Sequence, residues 1–207
     1  MEVIEILRNA WDYATGIGFL GLAGLLFGLL CVILLIKQHI WTWPMGIIYV
    51  LISFIIFWQA KLYADFVLHI FFLVLNIYGW YYWIKGSPRD ADEVPVTNAS
   101  RQQLTIVLLF SVLGIILSGY LLKNYTDASL PFWDCTTSIL SIAGMWLTAK
   151  KKIENWYFWL VVDVLATGIY FYKEIYFYFI LYLVYIGLAV AGYFSWKKAM
   201  QAQREAV

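Results

Sequence analysis

The chain has 207 residues, of which 63% are hydrophobic, 20% aromatic and only 13% charged, with a formal net charge of +1. Soluble domains hold about 45–50% apolar and about 25% charged residues, and a chain this short cannot hide so much apolar surface in one water-soluble core. Composition therefore excludes an ordinary soluble domain, and the near-zero charge excludes a basic nucleic-acid face. It predicts an all-α integral membrane protein.

The first segment, 1–15, sets Val3, Ile4, Ile6, Leu7, Ala10 and Trp11 at helical spacing, which predicts a short interfacial helix. It is acidic and lacks the basic start of a cleaved signal peptide. A helix needs about 20 apolar residues to cross the hydrocarbon core. Seven stretches qualify: 16–36, 43–59, 62–84, 104–122, 132–149, 156–173 and 175–196. The one long polar loop, KGSPRDADEVPVTNASRQQ, separates the third from the fourth. Cys31 and Cys135 both fall in apolar spans and read as reduced packing residues, with no metal-ligand spacing.

Sidedness follows from lysine and arginine in alternate loops. One side holds Arg8, Lys61, Lys123 and Lys173; the other holds Lys37, Lys85, Arg89, Arg101, Lys150, Lys151, Lys152, Lys197, Lys198 and Arg204. This bias predicts the N-terminus outside and the C-terminus in the cytoplasm. The Asn98 sequon then lies on the wrong side for glycosylation.

Segment 76–86, NIYGWYYWIKG, returns later in the chain as 189–199, AVAGYFSWKKA. Sliding 19–86 over 132–199 at that same fixed offset needs no gap and pairs Phe19 with Phe132, Lys37 with Lys150, Trp43 with Trp156, and Tyr63 with Tyr176. Tryptophan, glycine and lysine recur at equivalent helix ends. The prediction is a 3+1+3 parallel repeat, an architecture of transporters with the substrate site near the midplane. The segments are 1–15 as the interfacial helix, 16–86 as the first bundle, 87–131 as polar loop and linker helix, 132–198 as the second bundle and 199–207 as a polar tail.

An Asp at mid-bilayer costs about 2.5–3.5 kcal/mol on insertion scales, so each polar side chain inside a span asks for a role. The second span carries Gly46, Tyr49 and Ser53; the third carries Asp65, His69, Phe72, Asn76, Trp80 and Trp83. The fifth carries Asp134, Ser138, Ser141, Met145 and Thr148, and the sixth Trp156, Trp159, Asp163, Thr167 and Tyr170. Spacings of three and four put each set on one face. The expectation is that four such faces line one cavity.

Plainer roles compete. Ser138, Ser141 and Thr167 can bond their own helix's carbonyls, and His69 reads as a hydrogen-bonded bundle residue. Trp43, Trp83, Trp156 and Trp196 sit beside span ends, where interfacial anchoring is expected. Asp163 is the sharpest signal, central in its span with no lysine or arginine at its depth. No Ser/His/Asp or HExxH pattern, P-loop or buried last-span lysine appears. The chain is expected to be no enzyme and to need no cofactor or metal.

Four motifs resemble the PnuC-type nicotinamide riboside transporters: LYADF opening the third span, NIYGWYYW closing it, PFWDC opening the fifth and KKKIENWYFWLVVDV entering the sixth. The resemblance covers about 20 to 200. It implies a full-length relative of the SWEET sugar transporters, facilitated diffusion of the riboside across a bacterial cytoplasmic membrane, trapping by a cytoplasmic kinase, and homotrimers. It points to Gln59, Asn76, Trp80, Asp134, Asn155, Trp156 and Trp159 as substrate-binding residues, to which the polar faces add Tyr49, Ser141 and Asp163. Relatives often show Asn where this chain has Asp163, so that contact stands apart. Nicotinamide riboside is a flat cation with ribose hydroxyls, which aromatic faces attract by about 0.5–2 kcal/mol each. The alternatives are a carrier of another vitamin such as thiamine, and a membrane sensor that transports nothing.

Overall fold

The computed structural model describes residues 3–16, 18–59, 61–86, 93–126 and 130–205. Eight helices lie among them: α1 (Val3–Gly16), α2 (Gly18–Ile36), α3 (Thr42–Gln59), α4 (Tyr63–Lys85), α5 (Arg101–Tyr125), α6 (Pro131–Ala149), α7 (Asn155–Tyr172) and α8 (Tyr176–Glu205). The seven predicted spans coincide with α2 to α8.

Six helices close into a ring. Neighbours pack in the order α2, α3, α4, α6, α7, α8 and back to α2, while α5 packs outside on α6 and α1 outside on α8. Five helices, α2, α3, α4, α5 and α8, are long and apolar enough to cross a membrane. The other two predicted spans, α6 and α7, do not reach that apolarity, and they are the most thoroughly buried: Cys135, Ser141, Ala143, Gly144, Leu147 and Thr148 on α6, and Asn155, Trp156, Val162, Asp163, Ala166 and Ile169 on α7. Helices that bury their polar groups against neighbours need less lipid-facing apolar surface.

The chain reverses twice in the same way at each end. Gln38 and Lys151 both take a left-handed backbone, with φ of 56° and 53°, and so do Lys61 and Glu174, with φ of 57° and 58°. Each pair is separated by the same offset that joins 76–86 to 189–199. The bonds match too: the His39 amide donates to Leu34 and the Lys152 amide to Leu147, both at 2.9 Å, while Leu62 donates to Phe57 and Ile175 to Tyr170, again both at 2.9 Å. This is the bonding of a helix end closed by one left-handed residue.

The basic end of the ring, where α2, α4, α6 and α8 finish, holds the main core. Trp43, Trp83, Trp156 and Trp196 are all nearly inaccessible, at 1%, 7%, 2% and 0%. They are not interfacial anchors, as their positions had suggested. Trp43 meets Trp83 edge-on at 5.3 Å, Trp156 meets Trp196 edge-on at 5.5 Å, and Trp83 faces Trp196 at 6.1 Å. Glycine makes this possible: a Cβ on Gly79 or Gly192 would collide with the ring of Trp43 or Trp156 respectively. The indole N–H of Trp196 donates to the Leu35 carbonyl at 2.9 Å, which ties the end of α8 to the end of α2.

The stretch taken as a polar loop is in part a strap. Residues 87–92 lie outside the described residues, but 93–99 run across the basic end with Val94 and Val96 buried. The Thr97 amide donates to Lys151 and the Ile153 amide to Thr97. Glu154 accepts from the Ala99 amide at 2.9 Å and from Asn98 at 3.2 Å, and Lys152 donates to the Thr97 hydroxyl at 2.8 Å. Ser100 and Gln103 then form a capping box that starts α5. Apolar side chains at 94 and 96, with the backbone bonds at Thr97, explain why this run is ordered.

Lys151, in the turn between α6 and α7, is only 2% exposed, with its ammonium 4.6 Å from the Trp83 ring and 3.7 Å from Glu93. Burial pulls its pKa below the ordinary lysine value, against the pull of Glu93. The folded protein thus releases this proton at lower pH than the unfolded chain. Between the two values the unfolded chain holds more protons, so stability rises with pH across that window. The burial penalty acts in full below the folded pKa and is relieved above it. The melting temperature of the parent should therefore gain on that of Lys151→Met as the pH rises toward the ordinary lysine value of about 10.4. Parallel melting profiles would refute this.

The predicted interfacial helix, α1, packs on α8 through Ala10 and through Tyr13, whose ring stacks on Phe177 at 5.3 Å. Val3, Ile4, Leu7 and Trp11 remain exposed.

Candidate functional site

Polar groups converge at mid-helix inside the ring. On α4, Asn76 is buried and donates from Nδ2 to the Phe72 carbonyl at 2.8 Å, so the neighbouring turn holds its amide and leaves Oδ1 without a partner. That oxygen lies over Gly46 of α3, so closely that a Cβ on Gly46 would occupy its place. Two turns earlier, His69 bonds the Asp65 carbonyl through Nδ1 at 2.8 Å, and this places the proton on Nδ1. Its Nε2 is buried without a partner. Phe57, Phe72 and Tyr49 surround the imidazole at 4.7, 5.2 and 5.8 Å between ring centres.

Tyr49 reaches further. It and Tyr185 of α8 meet at Gly28, where an added Cβ would stand 3.4 Å from one ring and 3.3 Å from the other hydroxyl. On α7, Trp159 donates from its indole to the Thr148 hydroxyl at 3.1 Å, and Thr148 in turn donates to the Gly144 carbonyl. This chain fixes the plane of the Trp159 ring. Asp163, one turn on, is 7% exposed and belongs to neither ion pair among the described residues. Tyr182 and Tyr185 are close enough to act on it electrostatically. Thr167 and Ser138 donate to the carbonyls one turn back, as their type predicts. Ser141 is buried on α6.

The ten predicted residues fall into four groups. Tyr49, Asn76, Ser141, Trp159 and Asp163 lie near the middles of α3, α4, α6 and α7. Asp134 lies at the end opposite the tryptophan core, paired with Lys173 at 3.3 Å. Asn155 and Trp156 lie in the tryptophan core: the Asn155 Nδ2 donates to Lys152 at 2.6 Å, while its Oδ1 has no partner. The remaining two are turned outward. Gln59 is exposed at the end of α3, and Trp80 is 37% exposed because the inward stripe of α4 runs through Asn76, Gly79 and Trp83.

Sequence reasoning missed Tyr178, Tyr182 and Tyr185 of α8. Their signal was their spacing of four and three in YFYFILYLVY, which a run so rich in aromatics hides.

Chemically, the mid-helix set offers aromatic faces, neutral donors and acceptors, and one carboxylate, without a lysine or arginine. Such a set suits a flat ring, neutral or cationic, that carries hydroxyls. A phosphate would call for a cation or a cluster of amides.

The chain is similar to known transporters. The family described as "Nicotinamide mononucleotide transporter" matches residues 18–198. The "Nicotinamide riboside transporter PnuC" of Escherichia coli (strain K12) is 26% identical over 197 residues, spanning 84% of this chain and 82% of that protein. The "Riboflavin/roseoflavin transporter RibM" of Streptomyces davaonensis is 26% identical over 177 residues, spanning 84% of this chain and 83% of that protein. A crystal structure of the vitamin B3 transporter PnuC shares the fold, with a TM-score of 0.72 and 22% identity over 96% of this chain and 91% of that one. Since the family match runs through nearly the whole helical ring, from α2 to α8, the chain belongs to the nicotinamide mononucleotide transporter family of multi-pass membrane proteins.

Proposed function

We propose that the protein carries unphosphorylated nicotinamide riboside by facilitated diffusion across the bacterial cytoplasmic membrane. The observation that carries this reading is the mid-helix set itself: Asp163, Trp159, Tyr49 and Asn76 with no basic side chain at their depth. The riboside's cationic ring and ribose hydroxyls suit it, and the phosphate of the mononucleotide does not. The Escherichia coli relative's name points the same way.

The matching pairs of left-handed turns, at one constant offset, support a 3+1+3 parallel repeat like that of the SWEET transporters, with α5 as the linker. Lysine and arginine counts support an outer N-terminus, so the tryptophan core and strap face the cytoplasm. The outward apolar face of α5, including Ile106, Leu109, Leu113 and Leu117, leaves room for a subunit contact in a homotrimer. A cytoplasmic riboside kinase would trap the substrate. Gln59, Trp80, Asp134, Asn155 and Trp156 keep the roles the resemblance gives them only if another state or subunit brings them to the substrate.

A second reading rests on the riboflavin transporter that matches at the same identity. Riboflavin too is a flat ring system bearing a polyhydroxylated chain, but it is uncharged. Purified protein in proteoliposomes should take up labelled nicotinamide riboside saturably, with a plateau that an imposed proton or sodium gradient leaves unchanged. Stronger competition by riboflavin or thiamine than by unlabelled riboside would reassign the substrate. Absence of flux from folded protein would leave the sensor reading.

A further inference from the structure

The two halves of the helical ring meet along two seams, α4 against α6 and α8 against α2. At the basic end both seams are bridged, but by unlike contacts. Across α8/α2, the Trp196 indole donates to the Leu35 carbonyl at 2.9 Å and the Ser195 hydroxyl to the Ile36 carbonyl at 3.0 Å. Both carbonyls belong to the last turn of α2, which bonding within the helix leaves open. Across α4/α6, the Lys150 ammonium lies over the stacked pair Tyr82 and Tyr78, 4.3 and 5.0 Å from the ring centres. Lys151 lies over Trp83 beside it, at 4.6 Å. At the fixed offset, Tyr82 and Trp83 correspond to Ser195 and Trp196, and Lys150 and Lys151 to Lys37 and Gln38. Corresponding positions thus bridge one seam with hydrogen bonds and the other with cations on rings.

Such contacts part unequally. Trp196 is fully buried, so pulling it from Leu35 leaves a donor and an acceptor unpaired in an apolar setting. Lys150 is half-buried, and its ammonium can trade a ring face for water without stranding a polar group. The outer helices add to the difference. Tyr13 pins α1 on α8 through Phe177 at 5.3 Å, and Ala10 and Ala14 of α1 share a groove with Leu25 and Leu29 of α2, so α1 spans the α8/α2 seam from its other end. On the opposite side, α5 packs on α6. Within the tryptophan core, the indole N–H groups of Trp43, Trp83 and Trp156 are buried without a partner, whereas that of Trp196 is bonded. Water admitted between α4 and α6 would satisfy those three, which offsets the ring contacts that Lys150 gives up.

We propose that Lys150 is the latch of a gate at the basic end, which opens by parting α4 from α6 while the α8/α2 seam serves as the hinge. The proposal rests on the facilitated-diffusion reading above, in which the empty protein must also reorient, and not on which vitamin is carried. Lys150 is a positioning residue: it sets the balance between closed and open forms and need not touch the substrate.

Spin-label distances in the substrate-free protein test this, with Cys31 and Cys135 replaced by alanine and labels on exposed positions. Lys85→Cys with Gln102→Cys reports the latch seam, since Gln102 lies at the start of α5, which packs on α6; Lys37→Cys with Lys198→Cys reports the hinge. In Lys150→Met the odds of a longer distance in the first pair should rise about tenfold over the parent, as one lost cation–π contact implies, while the second pair keeps its distance. Lys150→Arg keeps a cation on the rings and should stay within about twofold of the parent. Tyr82→Phe should do the same, and Tyr82→Leu should widen the first pair as Lys150→Met does, with little added when the two are combined. Widening of the second pair, widening of neither, or equal effects of Met and Arg at position 150 would each overturn the latch. Should Lys150→Met fail to fold, Tyr82→Leu against Tyr82→Phe decides by the same criteria. Uptake assays on the same variants keep the two readings apart: distances as expected without riboside flux would overturn the riboside reading and leave the gate.

Discussion

Gly192→Ala should cost the fold about 1–3 kcal/mol, or more, because the added methyl has no room to form. Its carbon would fall inside the outer edge of the Trp156 indole, and that ring is pinned by Trp196 edge-on at 5.5 Å. Gly79→Ala should cost a similar amount against Trp43, which Trp83 pins in the same way at 5.3 Å. At this chain length each kcal/mol moves a melting transition by roughly 2–4 °C. Gly168→Ala and Gly187→Ala form the contrast, since nothing lies within 4 Å of a Cβ at either position. There the ordinary helix preference for alanine should give a gain of about 0.5–1 kcal/mol. Trp156→Phe removes the indole atoms that the new methyl would strike, so it should restore much of the stability lost in Gly192→Ala. Equal melting temperatures for the four alanine variants in detergent would show that the tryptophan core is not close-packed.

The same residues show what a sequence can and cannot announce. Helix positions were legible because each span needs an uninterrupted apolar run, and the echo of 76–86 in 189–199 because Gly79, Trp83 and Lys85 return as Gly192, Trp196 and Lys198. The role of the tryptophans was not. Tryptophan beside a helix end satisfies the interfacial rule and a packed core equally well, and only the approach of Gly79 to Trp43 separates the two. The strap at 93–99 was hidden for a related reason. Two valines among polar residues give no periodicity, and their burial depends on partners at Lys151, Ile153 and Glu154, far along the chain. Within the candidate site, Asp163 and Asn76 were legible as costly polar groups at mid-span. Trp80 was grouped with Asn76 because its spacing of four fits a helical face, whereas the buried stripe of α4 continues through Gly79 and Trp83. The tyrosines of α8 escaped because a hydroxyl on one ring among sixteen tyrosines carries no pattern of its own.

Asp163→Asn should weaken riboside binding by roughly ten- to a hundredfold while leaving the protein folded. Asp163 is buried at mid-helix, and Thr167 bonds its backbone carbonyl and leaves the carboxylate free of that hydroxyl. Val50 stands opposite Asp163 when 19–86 is laid over 132–199, so the carboxylate has no counterpart in that alignment. No lysine or arginine in α7 lies at its depth to absorb the charge. An ionised carboxylate there can be matched by a positively charged ring or by ribose hydroxyls. Asparagine keeps the volume and much of the hydrogen bonding but loses the charge. A charge-assisted hydrogen bond is worth about 1.5–3 kcal/mol, which converts to that loss of affinity. Folding should survive, since an amide costs less than a carboxylate inside a membrane. The uncharged reduced riboside separates the ring from the hydroxyls: its affinity should change far less than that of the oxidised form if Asp163 faces the ring. Calorimetry on Asp163→Asn and Trp159→Ala decides the matter. Parent-like affinity in the first, with binding lost in the second, would assign recognition to ring faces and neutral groups and leave Asp163 a protonated packing residue.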